Sequence, residues 1–377
     1  MNRSDLDRNA YMLCGPLAKR GYLRWWHSFT GTSLATGEVR TFFVEYLILN
    51  PVPGKKKKGE AAVPSYVRVS GGAFPTDEAP GLQICDYFPI RVAKFAKKPL
   101  YFQVDDNVLK ENRITGRIDV TPKEADLAVS FTQTGSMDWD LEIYKSIACH
   151  TGVLSSPLLC ALNALDSFWH GEGIKTHYRG KVTLNEEEFD VNSDACNGYA
   201  DKHWGRDFNN PWLQLASSNL VSERTGKLLK HSALAIDGCC PRFLFFRLKP
   251  RMLLQLTYTG EDFCFSFARP FSMSRLKWGT KERRDSFTWH VKAQNRTAML
   301  KLTIQSPKSR MMPLYYDRPE PDADGVMAPP RLYVGAEGHG TIDLYRITPQ
   351  GPVWLDTLDV QNALCEIEKP SKAASAR

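Results

Sequence analysis

The chain has 377 residues, 42% of them hydrophobic and 24% charged, with 26 Gly and 23 Pro. Those proportions exclude a disordered or collagen-like chain and give enough length for two domains or one large one. The net charge is +7, from 49 Lys and Arg against 42 Asp and Glu, and Lys55, Lys56, Lys57 and Lys58 supply four of those charges; the remaining near-balance argues against a nucleic-acid binder.

In chain order, the N-terminus Met-Asn-Arg-Ser-Asp-Leu-Asp-Arg carries both signs of charge and no apolar h-region, so no secretory signal is expected. Short or alternating apolar runs then predict strands at Thr41–Leu49, Tyr66–Ser70, Ile114–Val120, Ala128–Thr132 and Gly180–Leu184. The lysine tract between the first two is framed by Pro51, Pro53, Gly54 and Gly59, which reads as a solvated loop tip, with a lipid-headgroup contact as the second reading. Ser155–Trp169, with Leu158, Leu159, Leu162 and Leu165 after Ser-Ser-Pro, has helical spacing. Strand patterns resume at Trp212–Ala216, Phe243–Leu248, Met252–Tyr258, Phe263–Ala268, Ser286–Lys292, Ala298–Gln305, Arg331–Gly335, Gly340–Ile347 and Val353–Leu358. Asp317–Pro330 reads as a loop and Lys369–Arg377 as a frayed tail. The expected fold is mostly β, in two antiparallel barrel or sandwich domains with a few short helices, residues 1–235 and 236–377. No apolar run is long enough to span a membrane, and nine cysteines without a Cys-x-x-Cys pair suit a reducing compartment, so a cytoplasmic location is expected.

Three segments could carry chemistry. Residues 197–208 place Asp201, Lys202, His203, Arg206 and Asp207 between and beside Tyr199 and Trp204. Such a mixture suits a pocket wall in which Asp201 keeps its proton to higher pH and acts as an acid, while Lys202 or Arg206 stabilises a phenolate or enolate. It equally suits a buried ion-pair network bracing a bend. His170 and His177 flank a second segment; their odd separation sets them on opposite faces of an extended chain, which argues against a shared metal. In the third, Gly21–His27, Trp25 and Trp26 cannot both face one core, and Glu45, alone in an apolar strand, calls for a base such as Arg24 or Lys202. Dinucleotide, Walker A, zinc-protease and serine-hydrolase motifs are absent.

At these motifs the chain resembles the tocopherol cyclase family, and more distantly carotenoid hydratases and fungal Diels-Alderases. The resemblance rests on Gly21-Tyr22-Leu23-Arg24-Trp25-Trp26, on His170 to His177 leading into Gly180, and on Gly198-Tyr199-Ala200-Asp201-Lys202-His203-Trp204-Gly205, with echoes at Trp212–Asn219 and at Gly335-Ala336-Glu337-Gly338. It implies two lipocalin-like barrels with an apolar cavity at their interface, and catalysis of ring closure or hydration that requires no cofactor and no metal. Under it Asp201 is the general acid, Lys202 and Arg206 its partners, and His170 and His177 a relay; Trp25, Trp26, Glu45, Tyr199, Trp204, Asn219 and Glu337 contact an apolar small-molecule substrate. Non-catalytic binding of an apolar metabolite or lipid is the alternative.

Overall fold

β-branched and aromatic residues in short, turn-separated runs favour pleated, half-buried segments, and the structure, a computed structural model, is built mainly from antiparallel strands in two twelve-stranded sheets. It describes residues 9–52, 64–96, 98–128, 130–149, 167–192, 194, 196–206, 212–239, 242–243, 246–247, 251–266, 274–316 and 332–368. The first sheet contains β1 (Tyr22–Ser33), β2 (Val39–Leu49), β3 (Tyr66–Ala73), β4 (Leu82–Phe88), β5 (Lys94–Ala96), β6 (Tyr101–Val104), β7 (Asn107–Lys110), β8 (Arg113–Val120), β9 (Gly135–Ile147), β10 (Ser167–Leu184), β11 (Glu187–Val191) and β12 (Gly198–Gly205). The second contains β13 (Trp212–Ser217), β14 (Asn219–Ser222), β15 (Lys227–Leu228) and β16 (Ala233–Cys239), then, after a separate ribbon of β17 (Arg242–Phe243) and β18 (Phe246–Arg247), β19 (Arg251–Tyr258), β20 (Glu261–Ser266), β21 (Arg275–Glu282), β22 (Ser286–Gln294), β23 (Ala298–Pro307), β24 (Met311–Leu314), β25 (Leu332–Thr348) and β26 (Gly351–Glu368). Two short α-helices, α1 (Pro16–Lys19) and α2 (Pro122–Leu127), occur among the described residues.

The mostly β expectation holds, with three local differences. Ala128–Thr132 forms no strand; instead Thr132 Oγ1 accepts the Cys85 N–H at 2.8 Å and Gln133 Oε1 the Gln83 N–H at 2.6 Å, so side chains cover the exposed edge of β4. Ser167–Trp169 opens β10, where Phe168 and Trp169 pair with Trp204 and His203; the rest of the expected helix lies outside the described residues, as do the lysine tract, Asp317–Pro330 and the tail. The division expected at 235/236 falls inside the second sheet, because β13 already pairs with β16 and β26.

The long strands β1 and β10 each pair with β11 at one end and β12 at the other, closing a four-stranded ring. The outer strands curl until β4 packs on β8 and β9, around an interior that includes Trp25, Phe29, Tyr46, Phe102 and Tyr178. On β10, Gly180 (φ +148°) faces β9 so closely that a Cβ would lie 2.0 Å from the Asp140 carbonyl oxygen. The second sheet is buried on both sides where it meets the first. Leu215, Ile236 and Cys365 face its own core, whereas the neighbouring Ala216, Ala235 and Leu364 pack into the core of the first sheet.

Charge is placed in this shared layer. Glu45 on β2 is 2.8 Å from Arg24 Nε on β1 and paired with Arg68 on β3, while Arg24 Nη2 also donates to Glu366 Oε1 on β26 at 3.3 Å. All four side chains are almost wholly excluded from water. Tyr316 donates to Glu45 at 2.8 Å, and the adjacent Tyr315 carbonyl accepts from Arg68 at 3.1 Å and from Gln83 at 2.7 Å. Burial alone would push the Glu45 carboxyl up, but the two guanidinium groups outweigh it and hold it below the usual carboxylate range.

Replacing Glu45 by Ala leaves two buried arginines without their shared anion. The expected loss is about 3–5 kcal/mol, read as a lower denaturant midpoint at unchanged slope, with Glu45→Gln recovering part of it. A loss below about 1 kcal/mol would show that water reaches the arginines and compensates them.

Candidate functional site

Strand register assembles the site. Glu45, Trp26 and Asp201 lie directly opposite one another on β2, β1 and β12, and Leu47, Arg24, His203 and Trp169 form the next row on the same face. That face looks toward the second sheet, which contributes Gln214 from β13, Asp237 from β16 and Glu366 from β26, each at 2% exposure or less.

Asp201 is the hub. Its Oδ2 accepts from Trp169 Nε1 at 2.9 Å and Tyr199 Oη at 3.0 Å, accepts from Gln214 Nε2, and lies 3.4 Å from His203 Nε2. The same His203 Nε2 is 3.7 Å from Asp237 Oδ1, so one imidazole nitrogen lies near carboxylates from two sheets. Their protonation diverges. Burial would raise Asp201, but the charge of His203, its hydrogen bond and Arg24 outweigh burial and hold the carboxyl down at about 2. Asp237 is pushed up to about 7 by burial, with Asp201 and Glu366 acting in the same direction against His203. For His203, burial favours the neutral ring, and Asp201 more than reverses that and raises it. At neutral pH the cluster therefore holds an anion at Asp201 and, at Asp237, a carboxyl that gives up its proton only near pH 7, while Asp201 favours the charged form of His203. Buried polar atoms in this layer without a hydrogen-bond partner among the described residues include Asp201 Oδ1, Trp26 Nε1, Gln214 Oε1 and Asp237 Oδ1. Native structures seldom leave such atoms unmatched, so they mark places for a ligand's polar groups.

A narrow cleft reaches Tyr199 from the rim of this layer. Its walls include Ser28, Thr30, Asn197, Ala216, Ser217 and Leu364, and no charged residue lines it. Its volume is about 20 Å³, room for about one water molecule.

The structure brings some of the residues singled out from the sequence together and separates others. Asp201, Trp26, Tyr199 and Glu45 share the buried face, and Glu45 is paired with Arg24 as anticipated. Lys202 is not Asp201's partner, because adjacent residues of a strand point to opposite sides. It turns into the barrel, where its Nζ donates to the Ala10 carbonyl at 2.7 Å and lies 4.8 Å from the Trp204 ring centre. Trp25 and His170 are opposite Lys202 in register and share that side; Trp25 donates to the Asn9 carbonyl at 2.9 Å. His177 is half-buried on the outer surface beside Tyr144, and Arg206 is exposed beyond the end of β12. Glu337 pairs with Arg310 at 3.3 Å, and Asn219 donates to Asn362 at 2.9 Å; neither reaches Asp201. The acid expected at Asp201 is instead an ionised carboxylate. Sequence reasoning names His203 without giving it a role and passes over Asp237, Gln214 and Glu366. Two signals were present: His203 is two residues from Asp201 on a strand, and Asp237 is a lone carboxylate in the apolar run Leu234-Ala235-Ile236.

Among the described residues no group of three or more His, Cys, Asp or Glu side chains could hold a metal ion, and no helix is long and apolar enough to cross a membrane. No protein-family model and no curated protein sequence matches the chain. Two solved structures are similar in fold. One is a candidate ATTH protein from Nitrosomonas europaea, at 12% identity and a TM-score of 0.42 over 95% of each chain. The other is kievitone hydratase from Nectria haematococca, at 11% identity and a TM-score of 0.45 over 95% of this chain and 92% of that one. Likeness at this level carries no argument about activity.

Because Asp237 binds its proton more tightly folded than its ordinary carboxyl value of 3.8 allows, it lowers stability as pH rises from about 4 through about 7. Asp237→Asn removes that term. The variant should gain stability over the parent by a few kcal/mol at pH 8 and by little at pH 4, measured by denaturant unfolding at both. Equal gains at the two pH values would show that Asp237 titrates normally.

Proposed function

We propose that this protein is a cofactor-independent acid–base catalyst that closes a ring on an apolar, oxygen-bearing small molecule. The observation that carries this reading is the imidazole of His203 near Asp201 at about 2 and Asp237 at about 7. Carboxyl groups driven apart in this way, with a base near both, are how a buried site keeps both a donor and an acceptor near neutral pH. In the reaction, a proton passes from His203 or Asp237 to an alkene carbon, the substrate's own hydroxyl oxygen adds to the cation formed, and the hydroxyl proton returns to the site. No atom is gained or lost. Asp201 stays ionised and fixes His203, while Tyr199, a phenol kept protonated by burial and by Asp201, donates toward that carboxylate. Trp26 presents its N–H edge, because Arg24 lies 4.4 Å from its ring centre and Phe43 is stacked on it at 4.8 Å. The motif resemblance to tocopherol cyclase supports the same chemistry.

Hydration is a second reading, favoured by the cleft at Tyr199, which has room for one water and hydroxyl-bearing walls. A panel of prenylated phenols incubated in ¹⁸O-water separates the two by mass: an isobaric product marks cyclisation, and a product heavier by one labelled water marks hydration. His203→Gln and Asp237→Asn are expected to lower turnover at least 10²-fold, and the wild-type rate should fall as pH rises through about 7, where Asp237 loses its proton. Asp201→Asn should shift that profile to lower pH by removing the Asp201 charge that helps push Asp237 up. Binding without product, together with native affinity in His203→Gln, would assign the protein to ligand carriage instead.

A further inference from the structure

The outer edge of the second sheet has two unlike faces. On β22 and β23, Trp289, Val291 and Leu302 point into the core and are at most 4% exposed. On the other face the register sets Lys277 of β21 opposite Lys292 of β22, and Lys292 opposite Lys301 of β23. All three lysines are exposed, as is Arg275 two residues before Lys277 on the same face. Neighbouring strands lie about 4.8 Å apart, so this is a row of like charges in direct contact distance, an arrangement that costs stability. The row ends at Asp343 of β25, which already accepts from Thr357 Oγ1 at 2.9 Å.

An aromatic margin adjoins it. Lys301 Nζ lies 5.4 Å from the Tyr345 ring centre, and Tyr345 is opposite Trp354 across β25 and β26. Trp354 is 48% exposed and donates its indole N–H to Thr357 at 3.2 Å, which fixes it on the side of the lysine row. Val353, half exposed, sits beside it next to the hairpin turn.

We propose that this face docks on an anionic lipid bilayer, with Lys277, Lys292 and Lys301 on the headgroups and Trp354 in the interfacial layer. Lysines near an anionic surface contribute about 1 kcal/mol each, and an indole with one wet and one apolar side belongs at that depth. A polyanion would use the lysines alone and leave the exposed Trp354 unexplained, which is why the bilayer is favoured. The inference is independent of the reaction proposed above.

The full chain should be sedimented with vesicles of phosphatidylcholine alone and of phosphatidylcholine mixed with phosphatidylglycerol. Binding is expected only to the mixed vesicles and should weaken with salt. The triple variant K277A/K292A/K301A should bind about a hundredfold more weakly while keeping its far-ultraviolet spectrum and its denaturant midpoint. Trp354→Ala should weaken binding without altering the salt dependence. The proposal is overturned if the triple variant sediments like the parent, if no vesicle is bound, or if heparin is bound tightly and vesicles are not.

Discussion

The fold is held by a carboxylate shared between two arginines in a dry layer. Glu45 joins three neighbouring strands of the first sheet through Arg24 and Arg68, and Arg24 extends the link across the layer to Glu366. Removing such charges from water is costly, and their mutual attraction repays the cost only when every partner is in place. The sheets therefore cannot slide past one another without exposing an uncompensated ion. This rigidity is what allows His203 and Asp237, carried by different sheets, to stand 3.7 Å apart.

The same layer sets the protonation of the site. Arg24 lies near enough to help hold Asp201 down and to restrain the rise of Asp237, while Glu366 pushes Asp237 up. One network thus supplies cohesion and divides the proton-binding groups into a permanent anion and a near-neutral acid. A second buried cluster inside the barrel is kept apart from it by the thickness of β12: Lys145 lies 2.8 Å from both Glu111 and Glu172. Strand alternation, rather than distance along the chain, separates the two.

Much of this could be read from the chain. Period-two patterning identified about half of the strands, and Glu45, isolated among Phe42, Phe43 and Val44, signalled a buried partner that proved to include Arg24. The segment 198–205 stands out in the sequence as the core of the site but is not among the strands expected from patterning, so Lys202 is grouped there with Asp201. Treated as a strand, its alternation yields Tyr199, Asp201 and His203 on one side and Ala200, Lys202 and Trp204 on the other. Asp237 and Glu366 could not be assigned that way. Their role depends on which strand of the second sheet faces which strand of the first, and no local pattern encodes a pairing over such separations. Asp201's ionised state was likewise beyond reach, since it follows from the position of His203 and Arg24 and not from the carboxylate's own neighbours in sequence.

The link between Arg24 and Glu366 joins residues 342 positions apart. During synthesis at about 5–20 residues per second, roughly 17–70 s pass between the two, and throughout that interval the first sheet has an arginine-bearing face with no surface to close over it. The strands that complete the layer, β25 and β26, are also the last described. Closure of so large a loop precedes any reward from the contacts it makes, so the charged face of the first sheet stays open until the last strands arrive.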